Sequence, residues 1–447
     1  MGSGLNIAIV GGGWAGFSAA VTARQNGHTV TVFEAAETLG GRARAIQSTL
    51  PDGTPVTLDN GQHILIGAYR DSLRLMRTVG VDPQQTLLDL PMRLQFPDGR
   101  GIRFPNWPTP LDALGGMLGA RGWSLADKLS LLRAAWRWRW QGFACEPTHS
   151  VADLCHAVTP RIRAELIEPL CVSALNTPAD QASAAVFLRV LRDALFGTSG
   201  GSHLLLPTTD LGALFPDAAA RWVQQHGGRV ICKARVDHLA PATPHDDNPG
   251  HTPWRLAGPG LGDLADAHFD AVIWATSASH AAQAVMQVAQ TAPDHLANDL
   301  RRWAHTAQAL RFEAITTVYA WSASARLALP MLALRNSAEH PAQFVFDRAA
   351  LGGPAGLLAF VVSASNGDRA TLQTQVLAQA QAQLGLTLQP VQTVVEKRAT
   401  FACTPALARP AQPIAPGLLA CGDYVAGPYP ATLEGAVLSG IDAARRL

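Results

Sequence analysis

Leu5-Asn6-Ile7-Ala8-Ile9-Val10-Gly11-Gly12-Gly13-Trp14-Ala15-Gly16 is the stretch that decides the fold. Its first six residues are mostly apolar, rich in β-branched side chains and free of charge, the pattern of a buried strand. After the glycine cluster, Phe17 to Gln25 continues as small and apolar residues and predicts a helix. At this spacing Gly11 permits the tight turn, Gly13 lets the main chain approach a diphosphate, and Gly16 lets helix lie close on strand, with Gly12 in the same cofactor-binding loop. The helix N-terminus, with Ala15 in its first turn, offers free N–H groups and the positive end of its dipole to the phosphates. A second strand, Thr29 to Phe33, ends at Glu34 and Ala35, the former 18 residues past Gly16. A carboxylate at that interval grips ribose hydroxyls. A flexible turn alone would account for the glycines; strand, turn, helix, strand and acid in order point to a dinucleotide site.

Working outward, Leu39-Gly40-Gly41-Arg42-Ala43-Arg44 adds backbone freedom and an arginine able to fork onto phosphate oxygens. Asp59-Asn60-Gly61-Gln62-His63 follows a short strand-like stretch, Val56 to Leu58; Asn-Gly there equally predicts a hairpin turn. Gly227 to Ile231 reads as a turn into a strand, with a bend at Val236, and Phe269 to Thr276 as a buried strand passing Ala275. Pro241 to Gly262, rich in Pro, Gly, Asp and His, reads as a surface loop. Near the end, Leu418 to Asp423 is a strand closing on Gly422-Asp423, and Thr432-Leu433-Glu434 opens a terminal helix.

The Gly-Gly-Arg element resembles that of flavoproteins related to amine oxidases and carotenoid desaturases. Across nearly its whole length the chain resembles the hydroxysqualene dehydroxylases, also called squalene-associated FAD-dependent desaturases, within the amine oxidase/phytoene desaturase-like superfamily. The resemblance is strongest at Gly11–Arg44, at Leu58–Gly67 with its Asp-Asn-Gly-Gln-His core, at Pro169-Leu170-Cys171-Val172-Ser173-Ala174-Leu175-Asn176-Thr177-Pro178, and at Pro430–Val437. One departure is Tyr424, where the family pattern has tryptophan.

The resemblance implies an α/β fold: a discontinuous Rossmann-like FAD-binding domain (residues 1–75, 205–280 and 400–447) with an inserted mixed α+β substrate domain (76–204 and 281–399). It implies FAD bound without a covalent link, because Cys403 in Phe-Ala-Cys-Thr-Pro lacks the attachment motif of flavin-tethering relatives. The cofactor set it implies includes the glycine loop with Ala15, then Glu34 and Ala35, and Gly41, Arg42 and Ala43. Gly61, Gln62 and His63 are expected to touch the flavin through their main chain, and Val236 the adenine edge, with Ala275 nearby. Gly422 and Asp423 are expected at the ribityl–diphosphate region, Thr432 and Leu433 at the pyrimidine end, where the helix dipole favours negative charge.

The implied reaction is reductive removal of the hydroxyl of hydroxysqualene, giving squalene for hopanoid synthesis from an unidentified external electron donor. An oxidative carotenoid-desaturase-like or amine-oxidase-like flavoenzyme is the alternative. His63 is the candidate catalytic acid, since a histidine can titrate near neutrality; a purely main-chain or packing role competes with it.

Bulk properties agree with an apolar enzyme. Hydrophobic residues make up 48% and charged residues 15%, and the formal net charge of +1 gives no reason to expect nucleic-acid binding. Six scattered cysteines with no CxxC pair suit a reduced, cytoplasmic setting, and no metal site is expected. The first apolar run is strand-sized and enters the glycine turn directly, unlike a secretion signal. Leu118 to Phe143 interleaves Trp123, Trp136, Trp138 and Trp140 with Arg121, Lys128, Arg133, Arg137 and Arg139. That mixture suits contact with the inner face of a cell membrane, or equally a helix burying tryptophans while its arginines reach outward.

Overall fold

The first strand, Asn6–Val10, runs parallel between Thr29–Phe33 and Ala271–Trp274. Arg229–Ile231 adds outside the former, Leu418–Ala420 outside the latter, and antiparallel Pro413–Ala415 closes that edge. The chain therefore builds to one side of Asn6–Val10 and then to the other, so strand order reverses at this strand. The crevice beyond its carboxyl end is where such sheets bind ligands. The coordinates, a computed structural model, describe residues 4–242, 253–265 and 267–447; the middle of the loop expected over Pro241–Gly262 lies outside them.

Helices cover both faces of this sheet, which is why successive residues of its central strands are buried whichever face they point to. Trp14–Gln25, Pro216–Gln225 and Leu433–Arg445 pack on one face, and Ala278–Thr291 with Asp294–Gln308 on the other. Ser18 Oγ donates to Val437 O at 3.0 Å, joining the two ends of the chain across 419 residues. The domain boundary expected at residue 281 falls inside Ala278–Thr291, a helix that packs on the parallel sheet.

A second sheet is antiparallel, in the order Met331–Ala333, Phe344–Asp347, Leu357–Val362, Phe312–Trp321, Gln389–Phe401. Along Leu357–Val362, residues 357, 359 and 361 face the helical segment before residue 200, while 358, 360 and 362 face helix Arg369–Leu384. That helix starts at Asp368, whose side chain caps Ala370 N and Thr371 N.

The segment with four tryptophans forms helix Leu125–Trp140, opened by a capping box in which Ser124 and Asp127 exchange hydrogen bonds. Two of the four tryptophans are buried and two are exposed. Trp138 is buried, as is Trp123, whose Nε1 donates to Glu165 Oε2 at 2.9 Å, whereas Trp136 and Trp140 stack on each other at the surface, ring centroids 6.1 Å apart. No helix among the described residues is long and apolar enough to cross a membrane.

Candidate functional site

A cavity of about 720 Å³ begins at the glycine turn and runs along the carboxyl ends of the parallel strands to the second sheet. All the residues expected to bind cofactor line it except Gly12 and Gly16, which act from behind. Gly11 takes φ +116°, a left-handed value that suits glycine, and a Cβ on Gly16 would stand 1.9 Å from Gly11 O. Gly12 N instead donates to Glu34 Oε2 at 2.7 Å, and Ala36 N to Oε1 at 2.8 Å, which fixes the carboxylate at the end of its strand.

The N-terminal turn of Trp14–Gln25 has neither a side-chain cap nor an acidic residue, so its amides are left for an anion in the cavity. Thr276, which leads into helix Ala278–Thr291, and His280 and Gln287 on that helix also line the cavity. Gln287 Oε1 and Trp14 Nε1 are buried and have no hydrogen-bond partner among the described residues. A long cavity with free amides at one helix terminus, a fixed carboxylate one turn away and unpaired buried polar atoms on its wall fits an extended dinucleotide.

Arg42 is placed differently from its sequence reading. Its guanidinium pairs with Asp423 Oδ1 at 2.5 Å and donates to Ala399 O at 2.7 Å, so the fork is engaged by protein instead of projecting freely toward phosphate. The adjacent Asp423 carboxylate raises the arginine above its ordinary pKa. The pair ties the Gly-Gly-Arg turn to the C-terminal Gly422-Asp423 turn, 381 residues away. Thr432 caps the terminal helix through Gly435 N at 3.0 Å, leaving Leu433 at its mouth on the cavity wall. Buried Glu434 accepts from Asp71 N, Ser72 N and Ser72 Oγ at 2.9, 2.9 and 2.6 Å, which fixes the direction of that helix.

Asn60-Gly61 is not a hairpin turn. The hairpin of Ala45–Thr49 with Pro55–Asp59 turns earlier, at Gly53 with φ +88°, and Asn60 to His63 continue past the strand end along the cavity. Arg44 N bonds Asn60 Oδ1 and Asn60 N bonds Arg44 O, holding the segment in line. Asp59 is buried; burial pushes its carboxyl up to about 6, opposed by the hydrogen bond from Leu211 N and by the charge of Arg348. Arg348, buried as well, donates to Gln62 Oε1 at 2.9 Å and so orients that side chain.

His63 is half-buried on the cavity wall, with Nδ1 2.7 Å from Gly61 O. Desolvation lowers its pKa, so near neutrality the ring is uncharged, with the Nδ1 proton given to Gly61 O and Nε2 left as an acceptor. Cys403 does not line the cavity; it is buried and pushed up to about 11, unsuited to a thiolate tether. Tyr424 is buried beneath Gly422 with its hydroxyl unpaired among the described residues.

A second cavity of about 240 Å³ adjoins the first, sharing Ile64, Tyr69, Ser173, Ala174 and Thr432 with it. Its other walls are mainly aliphatic and aromatic, including Phe104, Leu131, Trp138, Phe187 and Phe196. The Pro169–Pro178 stretch is the partition: Val172 and Asn176 face the large cavity, Leu170 the small one, and Ser173 and Ala174 both. Asn176 ends the partition helix in a left-handed conformation (φ 47°), and its amide joins Ala364 N at 2.6 Å and Thr400 Oγ1 at 2.9 Å. The sequence alone gave no sign that Phe344, Phe346 and Val361, three apolar residues of the second sheet, complete the large cavity's far end.

The parallel sheet with its reversal point, the glycine turn and this cavity define an FAD-dependent oxidoreductase. The chain belongs to the family of flavin-containing amine oxidoreductases, whose sequence model matches residues 14–447. It is 26% identical to a hydroxysqualene dehydroxylase of Rhodopseudomonas palustris over 98% of this chain and 97% of that protein. To the hydroxysqualene dehydroxylase of Zymomonas mobilis it is 26% identical over 52% of this chain and 54% of that protein. The fold is shared with an oxidoreductase from Methanosarcina mazei (TM-score 0.71, 14% identity, 98% of this chain and 99% of that one). It is shared too with cyclohexylamine oxidase from Brevibacterium oxydans (TM-score 0.65, 15% identity, 99% and 98%).

Proposed function

We propose that the chain removes the hydroxyl of hydroxysqualene reductively, releasing squalene and water. The observation that carries this reading is the apolar cavity beside the His63 wall, together with full-length similarity to a protein of that name. A hydrocarbon chain is the occupant such walls accept without leaving buried polar groups unpaired.

The C–O bond breaks, the oxygen leaves as water with one added proton, and a hydride takes its place on carbon. FAD, when bound in the large cavity and reduced by an external donor, would be the source of that hydride. The chain's own residues orient and enclose. Gly11 and Gly13 with the open turn at Trp14 would hold the diphosphate, Glu34 the ribose and Gly61 to His63 the flavin edge, while Arg42 and Asp423 join the two turns. Leu170 and Ala174 exclude water from the hydrocarbon. His63 is the candidate to carry the proton, at Nε2, and its lowered pKa requires that this route quicken as pH falls.

The direction of electron flow separates this reading from an oxidative desaturase or amine oxidase. Holoprotein reduced anaerobically and mixed with hydroxysqualene should return to the oxidised flavin spectrum and yield squalene in the solvent extract. Reoxidation without squalene, or flavin that stays reduced, sinks the proposal. FAD should be released into the supernatant on acid precipitation, since Cys403 lies off the cavity; yellow precipitate would contradict non-covalent binding.

A further inference from the structure

The large apolar side chains that stand exposed among the described residues all lie between Trp107 and Trp140. They are not scattered. At about 100° per residue, Leu125, Leu129, Trp136 and Trp140 fall within about 60° of one face of their helix, and Leu125, Trp136 and Trp140 are 74%, 69% and 79% exposed. Leu111, Leu114 and Leu118 form a matching stripe on the neighbouring helix Leu111–Gly119.

Charge around this face is one-sided. Residues 100–140 contain seven Lys and Arg against two Asp, while the rest of the chain has 28 against 32. Both aspartates, Asp112 and Asp127, are buried, and Asp127 is occupied by Ser124 and Thr159. Lys128 and Arg139 flank the leucine–tryptophan stripe on one side, Arg133 and Arg137 on the other. Tryptophan and leucine edged by cations, with no exposed carboxylate in the segment, is complementary to a bilayer with anionic headgroups.

The opposite faces of the same helices line the small apolar cavity, through Ala113 and Met117 on one and Leu131, Ala135 and Trp138 on the other. One helix thickness, about 10 Å, separates exposed stripe from cavity. We propose that the outer face of Leu111–Gly119 and Leu125–Trp140 docks on an anionic phospholipid surface, holding the apolar cavity at the bilayer. The proposal goes beyond the reaction assigned above and does not depend on it.

The test is flotation of the full-length holoprotein with vesicles of phosphatidylcholine, pure or containing about a third phosphatidylglycerol. Binding is expected on the anionic vesicles, weaker on neutral ones and reduced by salt. A variant carrying Leu125→Asp, Trp136→Ser and Trp140→Ser should lose about tenfold or more in partitioning, with flavin spectrum and melting temperature unchanged. Arg133→Gln with Arg139→Gln should lose the preference for anionic lipid. Equal flotation of the triple variant, no flotation of the unsubstituted chain, or a dimer in sedimentation that Trp136→Ser/Trp140→Ser dissolves would each overturn it. The last would mean that the face pairs two copies of this chain. Because the assay involves no turnover, failure of the dehydroxylation reading leaves it intact, and the converse holds.

Discussion

The two adjoining cavities are built on opposite principles. The large one is shaped by main chain: turns at Gly11, Gly41 and Gly422, helix ends at Trp14 and Leu433, and strand ends at Glu34 and Ala275. The small one is shaped by side chains projecting from helices and short strands, such as Leu131, Phe187 and Leu204. A main-chain surface tolerates few residue types, because the turn or close approach must exist before the ligand can bind. A side-chain surface tolerates any apolar residue of suitable volume. Cofactor-cavity walls are thereby concentrated in short motifs, and the lining of the small apolar cavity is dispersed between Ile64 and Leu204, with Tyr429, Pro430 and Thr432 added from the C-terminal end.

Substitutions should divide along the same line, and the largest effect is expected where a Cβ meets backbone. Gly16→Val places side-chain carbon against Gly11 O, at 1.9 Å for the Cβ alone, with no flexible group to yield. It should cost more than about 3 kcal/mol and eliminate bound FAD, read from the ratio of flavin to protein absorbance. Full flavin content in this variant would break the comparison.

Phe187→Ala acts on the other region. It removes a buried ring from the small cavity's wall and should cost about 3 kcal/mol in urea unfolding. FAD per folded chain should stay unchanged. Loss of flavin in step with stability would show that the two cavities are one cooperative unit.

Asp59 stands at the join, at the strand end leading into Asn60. Its carboxyl is raised from 3.8 to about 6, so between those values the folded chain keeps a proton that the unfolded chain has lost. Stability therefore falls as pH rises through that window, by about 2–3 kcal/mol in all. Asp59→Asn should flatten this slope in denaturation curves taken across it; an unchanged slope would assign the pH dependence elsewhere.

His63→Ala should have the smallest effect on stability, about 1 kcal/mol for the bond to Gly61 O, and should keep FAD. If Nε2 carries the proton, the variant loses the rise in single-turnover rate toward low pH. If only the main chain of His63 matters, the profile keeps its shape.

Legibility followed the same division. Strand, glycine turn, helix and acid lie within thirty residues of one another, and the structure places them as their spacing required. The Asn60-Gly61 pair was ambiguous between hairpin and cofactor wall because local turn chemistry is the same for both; the outcome depended on which strand paired with Pro55–Asp59. The pairing of Arg42 with Asp423 was not legible, because nothing nearby in sequence shows Asp423 reaching it from the C-terminal turn.

By itself, then, the sequence determined a dinucleotide-binding α/β fold, because glycine spacing and strand-length apolar runs are local consequences of backbone geometry; FAD as the dinucleotide followed from the resemblance of the Gly-Gly-Arg element to that of flavoproteins. Tertiary structure alone decided that Arg42 is engaged by Asp423 and that His63 is held neutral against Gly61 O. It decided as well that Trp136 and Trp140 face outward while Trp123 and Trp138 are buried. Each of these depends on neighbours brought together from distant parts of the chain, and burial and charge are properties of that assembled surrounding.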